Sequence, residues 1–282
     1  MIKFAEPVFE KSTIKKINNV LKSKILVHGS NSKIFEKKFS DFTKSNFATS
    51  VSSCTAGMHL FYFYHNIGKG DEVIVPAQTH TATAHSVELT GAKAVFVDSE
   101  SLTGNIDIKK IEKKITSRTK VITIVHYLGI PVNMESILKI SRKYNLLVFE
   151  DCALSLGSFY KNKHTGLIGD GGSFSFYPVK HITTGEGGML ISKHRKFIKN
   201  IEIIKSFGIN RNHSQIKGIT NYDASKLGFN YRLSEINSVI GIDQLKKIKY
   251  FLKIRKKNFE YYKKTFKNLK EFSFFDNTYK NS

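Results

Sequence analysis

The sequence contains no tryptophan, only four prolines and only two cysteines in 282 residues. Cys54 and Cys152 cannot build a disulfide framework, and single cysteines in unrelated segments fit a reducing cytosol. No apolar run approaches the ~18 consecutive residues that a membrane-spanning helix needs. The opening Met-Ile-Lys-Phe-Ala-Glu-Pro lacks the apolar stretch and small-residue cleavage site of a secretion signal. These absences predict a cytoplasmic protein with no membrane partner. Acidic residues are scarce too: 23 Asp and Glu stand against 45 Lys and Arg, a formal net charge of +22. Such a surplus raises nucleic acid as a partner. Here it is mostly lysine, scattered among Ile, Asn and Phe, and it concentrates only over Lys246–Lys270, as on the solvated face of a helix. No nucleic-acid partner is expected, only a general attraction for anionic substrates such as nucleotide diphosphates.

What is present is enough to fold unaided: apolar residues make up 40% of the chain, near the globular norm. Short apolar runs recur at Phe47–Ser52, Glu72–Val75, Ala94–Asp98, Val121–His126, Leu146–Asp151, Ser173–Tyr177 and Gly188–Ser192. Several are apolar throughout, as strands covered on both faces are. Helical stretches separate the first five, at Ala56–His65, Thr81–Leu89, Ile108–Ile115 and Met134–Tyr144. The alternation predicts an α/β fold with a mostly parallel sheet, and Gly185-Glu-Gly-Gly188 predicts a tight return before the last run. Ser234 reads as the N-cap of one long helix running to about Phe266, with Ile236, Val239, Ile240 and Leu245 on its apolar side. Neither an internal repeat nor a low-complexity linker divides the chain.

Ligands of open α/β sheets sit beyond the carboxyl ends of the strands, so the polar residues there are the candidates. Ser52-Ser-Cys-Thr-Ala-Gly57 follows a strand and opens a helix, where unpaired N–H groups suit a phosphate, or serve as an ordinary cap. Glu150-Asp151 ends an apolar strand, and a carboxylate there needs a partner: a protonated pyridine nitrogen, a helix start or a metal. No His/Cys set with ligand spacing lies nearby, which argues against metal. Lys180 lies between a buried strand and a glycine-rich return, a place where a solvated lysine gains little and an imine-forming amine is useful. Asn230 and Arg232 offer donors for phosphate or carboxylate.

The order of these segments is more specific than any one of them. Ser-Ser-Cys-Thr-Ala, Pro-Ala-Gln-Thr-His, Gly-Ala-Lys-Ala-Val-Phe-Val-Asp, His126-Tyr-Leu-Gly, Glu-Asp-Cys-Ala, Ser-Phe-Tyr-Pro-Val-Lys, Gly-Glu-Gly-Gly and Asn-Tyr-Arg follow one another. Across nearly its whole length the chain resembles the DegT/StrS family of nucleotide-sugar aminotransferases, which use pyridoxal 5'-phosphate (PLP). The resemblance implies a three-layer α/β/α domain of PLP fold type I with a mostly parallel seven-stranded sheet over 1–233. It implies that 234–282 carries a long helix and the start of a small α+β domain, incomplete beside family members that continue well beyond this point. It casts Lys180 as the Schiff-base lysine, Asp151 as partner of the pyridine nitrogen and His80 as the residue stacked on the ring. Thr55, Ala56 and Ser175 become phosphate ligands. Asn230 becomes a contact donated across a two-fold homodimer to the neighbour's phosphate, and Arg232 a contact for the sugar nucleotide. The implied reaction is amination of a nucleotide-linked keto sugar, with glutamate as donor. The alternatives are a PLP-dependent sugar dehydratase, which commonly carries His in place of the lysine, and a non-catalytic regulator. Leu154 departs from the Gln or His usual beside the ring's oxygen.

Overall fold

The computed structural model describes residues 5–209 and 223–275. Two helices open it, α1 (Lys11–Ser23) and α2 (Ser30–Thr43). Strands and helices then alternate through β1 (Phe47–Val51), α3 (Cys54–Tyr64), β2 (Glu72–Pro76), α4 (Thr81–Glu88) and β3 (Lys93–Val97). The series continues with α5 (Ile108–Ile111), β4 (Thr119–Val125), α6 (Met134–Tyr144) and β5 (Leu147–Asp151). A small hairpin, β6 (Phe159–Tyr160) with β7 (Lys163–His164), precedes β8 (Gly171–Ser175) and β9 (Gly188–Ser192). Helices α7 (Arg195–Ile204), α8 (Glu235–Lys246) and α9 (Ile248–Phe266) follow.

Among the described residues, seven strands form one sheet in the order β1-β9-β8-β5-β4-β2-β3. Neighbours from β3 to β8 are parallel, while β9 runs antiparallel to both β8 and β1. The sheet is therefore the mostly parallel α/β sheet that the apolar runs predict. Strand alternation divides its side chains between two helical layers. Val73, Val75 and Phe149 join Leu60, Phe61 and Ile201 of α3 and α7. Ile74, Ile122 and Val148 join Ile137 and Ile140 of α6. Beyond β8 and β9, Phe174, Met189 and Ile191 pack with Phe35 and Phe39 of α2 and Ile242 of α8. Each such side chain, fully buried, contributes about 1.5–3 kcal/mol.

The single long helix expected after Ser234 is two helices. Ser234 is the N-cap, its Oγ accepting from the Asn237 N–H at 3.1 Å. The helix then breaks at Lys247 (φ −99°, ψ −1°), whose N–H closes a three-residue turn onto the Gln244 carbonyl. The bend keeps Leu245 and Ile248 in the core and lets Leu252 of α9 lie against Gly157, where a Cβ would come within 2.4 Å of Leu252 Cδ1. The buried seam of α8 is Val239, Ile242 and Leu245, with Ile236 and Ile240 only half-buried. No helix among the described residues is long and apolar enough to cross a membrane.

Candidate active site

The carboxyl ends of β1, β5 and β8 meet the start of β9 at one edge of the sheet. Val51 and Ser175 both pair with Gly188, and Asp151 pairs with Ser173. Helix α3 starts against this edge. A Cβ on Gly188 would lie 2.5 Å from the Ser53 carbonyl carbon and 2.7 Å from the Cys54 nitrogen. Only glycine lets β9 come so close. Ser173 Oγ closes the contact from the other side by donating to the Cys54 carbonyl at 3.0 Å.

The first turn of α3 leaves amides without helical partners. Ser53 Oγ accepts from the Ala56 N–H at 3.0 Å, and the Gly57 N–H bonds the Ser53 carbonyl. The N–H groups of Cys54 and Thr55 make no such bond among the described residues. Thr55 thus has a free N–H to offer an anion, whereas Ala56 would have to share its N–H with its cap. Ser175 sits half-buried at the end of β8, its Oγ only loosely accepting from the Tyr177 N–H at 3.4 Å.

Asp151 is 4% exposed. Its Oδ1 accepts from the Ala153 N–H at 3.0 Å, and its Oδ2 from Thr83 Oγ1 at 2.8 Å. The Cys54 thiol lies 3.9 Å from Oδ1 and 3.3 Å from the Ser173 carbonyl. Burial pushes the Cys54 pKa well up, the Asp151 charge adds to this, and the Lys180 charge opposes it. Cys54 is accordingly a neutral thiol within electrostatic reach of both Asp151 and Lys180. Lys180 closes a turn with its N–H on the Tyr177 carbonyl at 2.9 Å; its Nζ makes no hydrogen bond among the described residues. His181 beside it is held neutral: burial first, then the charges of Arg255 and Lys180, push its pKa to about 4.

His80 is exposed at the start of α4, where its Nδ1 accepts from the Ala82 N–H at 3.1 Å. Asn230 and Arg232 form a pair of their own, Arg232 Nε and Nη2 both donating to Asn230 Oδ1 at 3.1 and 2.9 Å. Their strip is tied to the loop before α3 by the Ser52 N–H on the Tyr231 carbonyl at 2.8 Å. Arg232 also lines a cavity of about 200 Å³ with His28, Glu36 and Lys205, apart from Lys180 and Asp151.

Three residues at the site escaped the sequence reading: Thr79 and Thr83, whose hydroxyls lead to Asp151, and Cys54 as a contact of that carboxylate. The only signal was a run of hydroxyls, Thr79-His-Thr-Ala-Thr83, at the end of β2. His126, Glu150 and Cys152 also cluster, with ligand atoms within 4.8 Å. Glu150 is already engaged by the N–H groups of Gly166, Ile168 and Gly169 and by His126 Nε2, while His126 Nδ1 accepts from the Val132 N–H. The cluster is a hydrogen-bonded part of the core and not an open ligand set.

The site's donor set fits PLP: free amides at a helix start for phosphate, a carboxylate with an acceptor direction to spare, and an unpaired amine, all on one edge. The family comparison decides the kinship, because the DegT/DnrJ/EryC1/StrS aminotransferase family matches residues 7–281. The chain belongs to this family. It is 38% identical over 235 residues to GDP-perosamine synthase of Escherichia coli O157:H7, covering 83% of this chain and 63% of that one. The chain therefore spans less than two-thirds of that relative's length. Among solved structures, Helicobacter pylori PseC, an aminotransferase of pseudoaminic acid biosynthesis, superposes with a TM-score of 0.87 at 31% identity, over 95% of this chain and 71% of that one. The E. coli GDP-4-keto-6-deoxy-D-mannose-3-dehydratase with bound hydrated PLP gives 0.86 at 30% identity, over 95% and 73%. The fold is thus that of PLP fold type I.

Proposed function

We propose that this chain binds PLP and transfers an amino group to a nucleotide-linked keto sugar, making an amino sugar for surface polysaccharide or a secondary metabolite. The observation that carries the reading is that Asp151, with its Oδ1 3.9 Å from the Cys54 thiol, and Lys180 both act electrostatically on Cys54, beside the free amides of α3. The family and the names of its relatives support the chemistry. PLP, when bound, supplies an aldehyde carbon and an electron-withdrawing ring through which an amino group and a proton can pass. Thr55, Ala56 and Ser175 would bind its phosphate, His80 would cover a ring face, and Asp151 would hold the ring nitrogen's proton. Lys180 Nζ would hold the aldehyde carbon and, once displaced by the donor amine, carry the transferred proton. His181, neutral beside it, adds no competing charge.

The same reading takes glutamate as amino donor and a two-fold homodimer as the working form, with Asn230 reaching the partner's cofactor phosphate and Arg232 the sugar nucleotide. It assigns 1–233 to the cofactor domain and 234–282 to the beginning of a smaller one. Helix α8 packs with Phe35 and Phe39 in the first domain's core, so within that stretch it is α9, whose Tyr250, Phe259, Tyr261 and Tyr262 are exposed, that suits the smaller domain. A lysine at position 180 favours transamination over the dehydratase alternative. The test is Lys180→Ala, which should abolish both the visible absorption of the PLP-loaded protein and its conversion of PLP with glutamate to pyridoxamine phosphate. A retained band with full conversion would sink the assignment. Binding without conversion in the parent protein would point to a regulator.

A further inference from the structure

Asp151 is held unevenly. Oδ1 takes the Ala153 N–H at 3.0 Å and has the Cys54 thiol at 3.9 Å. Oδ2 takes Thr83 Oγ1 at 2.8 Å and, among the described residues, nothing else. A carboxylate oxygen accepts along two directions, so one direction of Oδ2 is left for an incoming donor. The torsion that turns a carboxylate is soft, and Ala153 alone would leave it free to swing.

Thr83 is fully buried. Its single hydroxyl proton goes to Asp151, so in its 2.7 Å contact with Thr79 Oγ1 it is Thr79 that donates. Thr79 adjoins His80, whose Nδ1 caps the same turn of α4 that presents Thr83. The ring-facing residue and the orientation of Asp151 are therefore set by one short segment.

We infer that Thr79 and Thr83 are positioning residues, a hydroxyl relay that turns Asp151 Oδ2 toward the ring nitrogen of the cofactor. This rests on the PLP reading above. A charge-assisted hydrogen bond weakens steeply when misaligned, so loss of the relay should be felt at the ring nitrogen and nowhere else on the ligand.

The experiment titrates cofactor-free protein with PLP and with its 1-deaza analogue, in which carbon replaces the ring nitrogen, following visible absorption. Thr83→Val should bind PLP roughly tenfold more weakly, bind the analogue as the parent does, and melt, cofactor-free, near the parent. Thr83→Ser, which restores the hydroxyl, should recover most of the affinity. Thr79→Val, at a half-buried position outside the core, should weaken PLP in the same selective way by roughly threefold, and serves if Thr83→Val does not fold. Equal losses for PLP and analogue would show a packing effect and overturn the inference, as would unchanged PLP affinity in both valine variants. Failure of the parent protein to bind PLP would instead remove the cofactor reading itself.

Discussion

Glu150 and Asp151 are consecutive residues of β5, both buried, whose carboxylates do different work on opposite faces of the sheet. Glu150 accepts from three backbone N–H groups of the loop before β8 and from His126. These bonds hold its pKa below the ordinary range although burial pushes the other way. Asp151 keeps an acceptor direction open.

The two should separate on mutation. Glu150→Gln turns an NH₂ toward N–H donors and should cost about 3 kcal/mol of stability. Asp151→Asn keeps an oxygen for Ala153, and its NH₂ can donate to a rotated Thr83 hydroxyl, so stability should change by less than about 1 kcal/mol while PLP affinity falls. Urea unfolding and PLP titration of both variants check this, and the reverse pattern would refute the division of roles.

Much of this was legible before the structure. The seven apolar runs are the seven strands, within a residue or two at each end, because strands buried on both faces need uninterrupted apolar sequence. Asp151 stood out because it ends an apolar strand, and Lys180 because it falls between a buried strand and a glycine-rich return. Strand order was not, since β1 pairs with β9 across more than a hundred residues and no local pattern records it. Helices α1, α2 and α7 went unread although Phe35 and Phe39 stand one turn apart; dense lysine masked their amphipathic rhythm. Thr83 was invisible because a buried threonine on a helix resembles any other until its partner is known.

Lys205 and Glu36 form a buried ion pair beside the Asn230 strip. Lys205 Nζ donates to Glu36 Oε1 at 3.3 Å, to Thr49 Oγ1 at 2.6 Å and to the Ser50 carbonyl at 2.7 Å. Burial raises the Glu36 pKa, but the charges of Lys205 and Lys33 and the Ser50 amide outweigh it, leaving it below the usual range. A depressed carboxyl pKa gives stability that is present above the unfolded value, ~4.3, and lost as pH falls through the folded one. Lys205→Met removes the buried cation and leaves Glu36 with Lys33 Nζ at 3.1 Å and the two Ser50 donors, so it should cost about 1.5–3 kcal/mol. Adding Glu36→Gln should restore part of that in urea unfolding; a double variant no better than the single would show that charge is not the cause.

His164 supplies a second pH dependence, at higher pH. Its Nε2 accepts from the Gly157 N–H at 2.9 Å and its Nδ1 pairs with the Thr165 carbonyl at 2.7 Å. Burial is the main reason that its pKa falls from 6.5 to about 4. The folded protein thus disfavours a proton that the unfolded chain accepts, so stability is full above pH ~6.5 and declines as pH drops toward ~4. The full decline for such a shift is roughly 3 kcal/mol, and His181 adds to the same window. His164→Gln should be less stable at neutral pH yet lose less between pH 7 and 5. An unchanged slope in urea unfolding would place the acid sensitivity elsewhere.

Gly188 joins stability to the proposed cofactor site in one position. A Cβ there would meet backbone atoms of Ser53 and Cys54 at 2.5 and 2.7 Å, and no side-chain rotation can relieve that. Gly188→Ala must push β9 away from α3 or move the helix start, at about 1–3 kcal/mol. The shift falls on the turn that carries the free Cys54 and Thr55 amides, so phosphate binding should suffer with the fold. The variant should melt lower and bind both PLP and inorganic phosphate more weakly, whereas Gly185→Ala supplies the contrast. Gly185 meets nothing within 4 Å, and its φ of +82° strains only its own loop. Alanine there should lower stability and leave phosphate affinity near that of the parent. Equal phosphate affinity in the two variants would mean that the approach of β9 does not shape the start of α3.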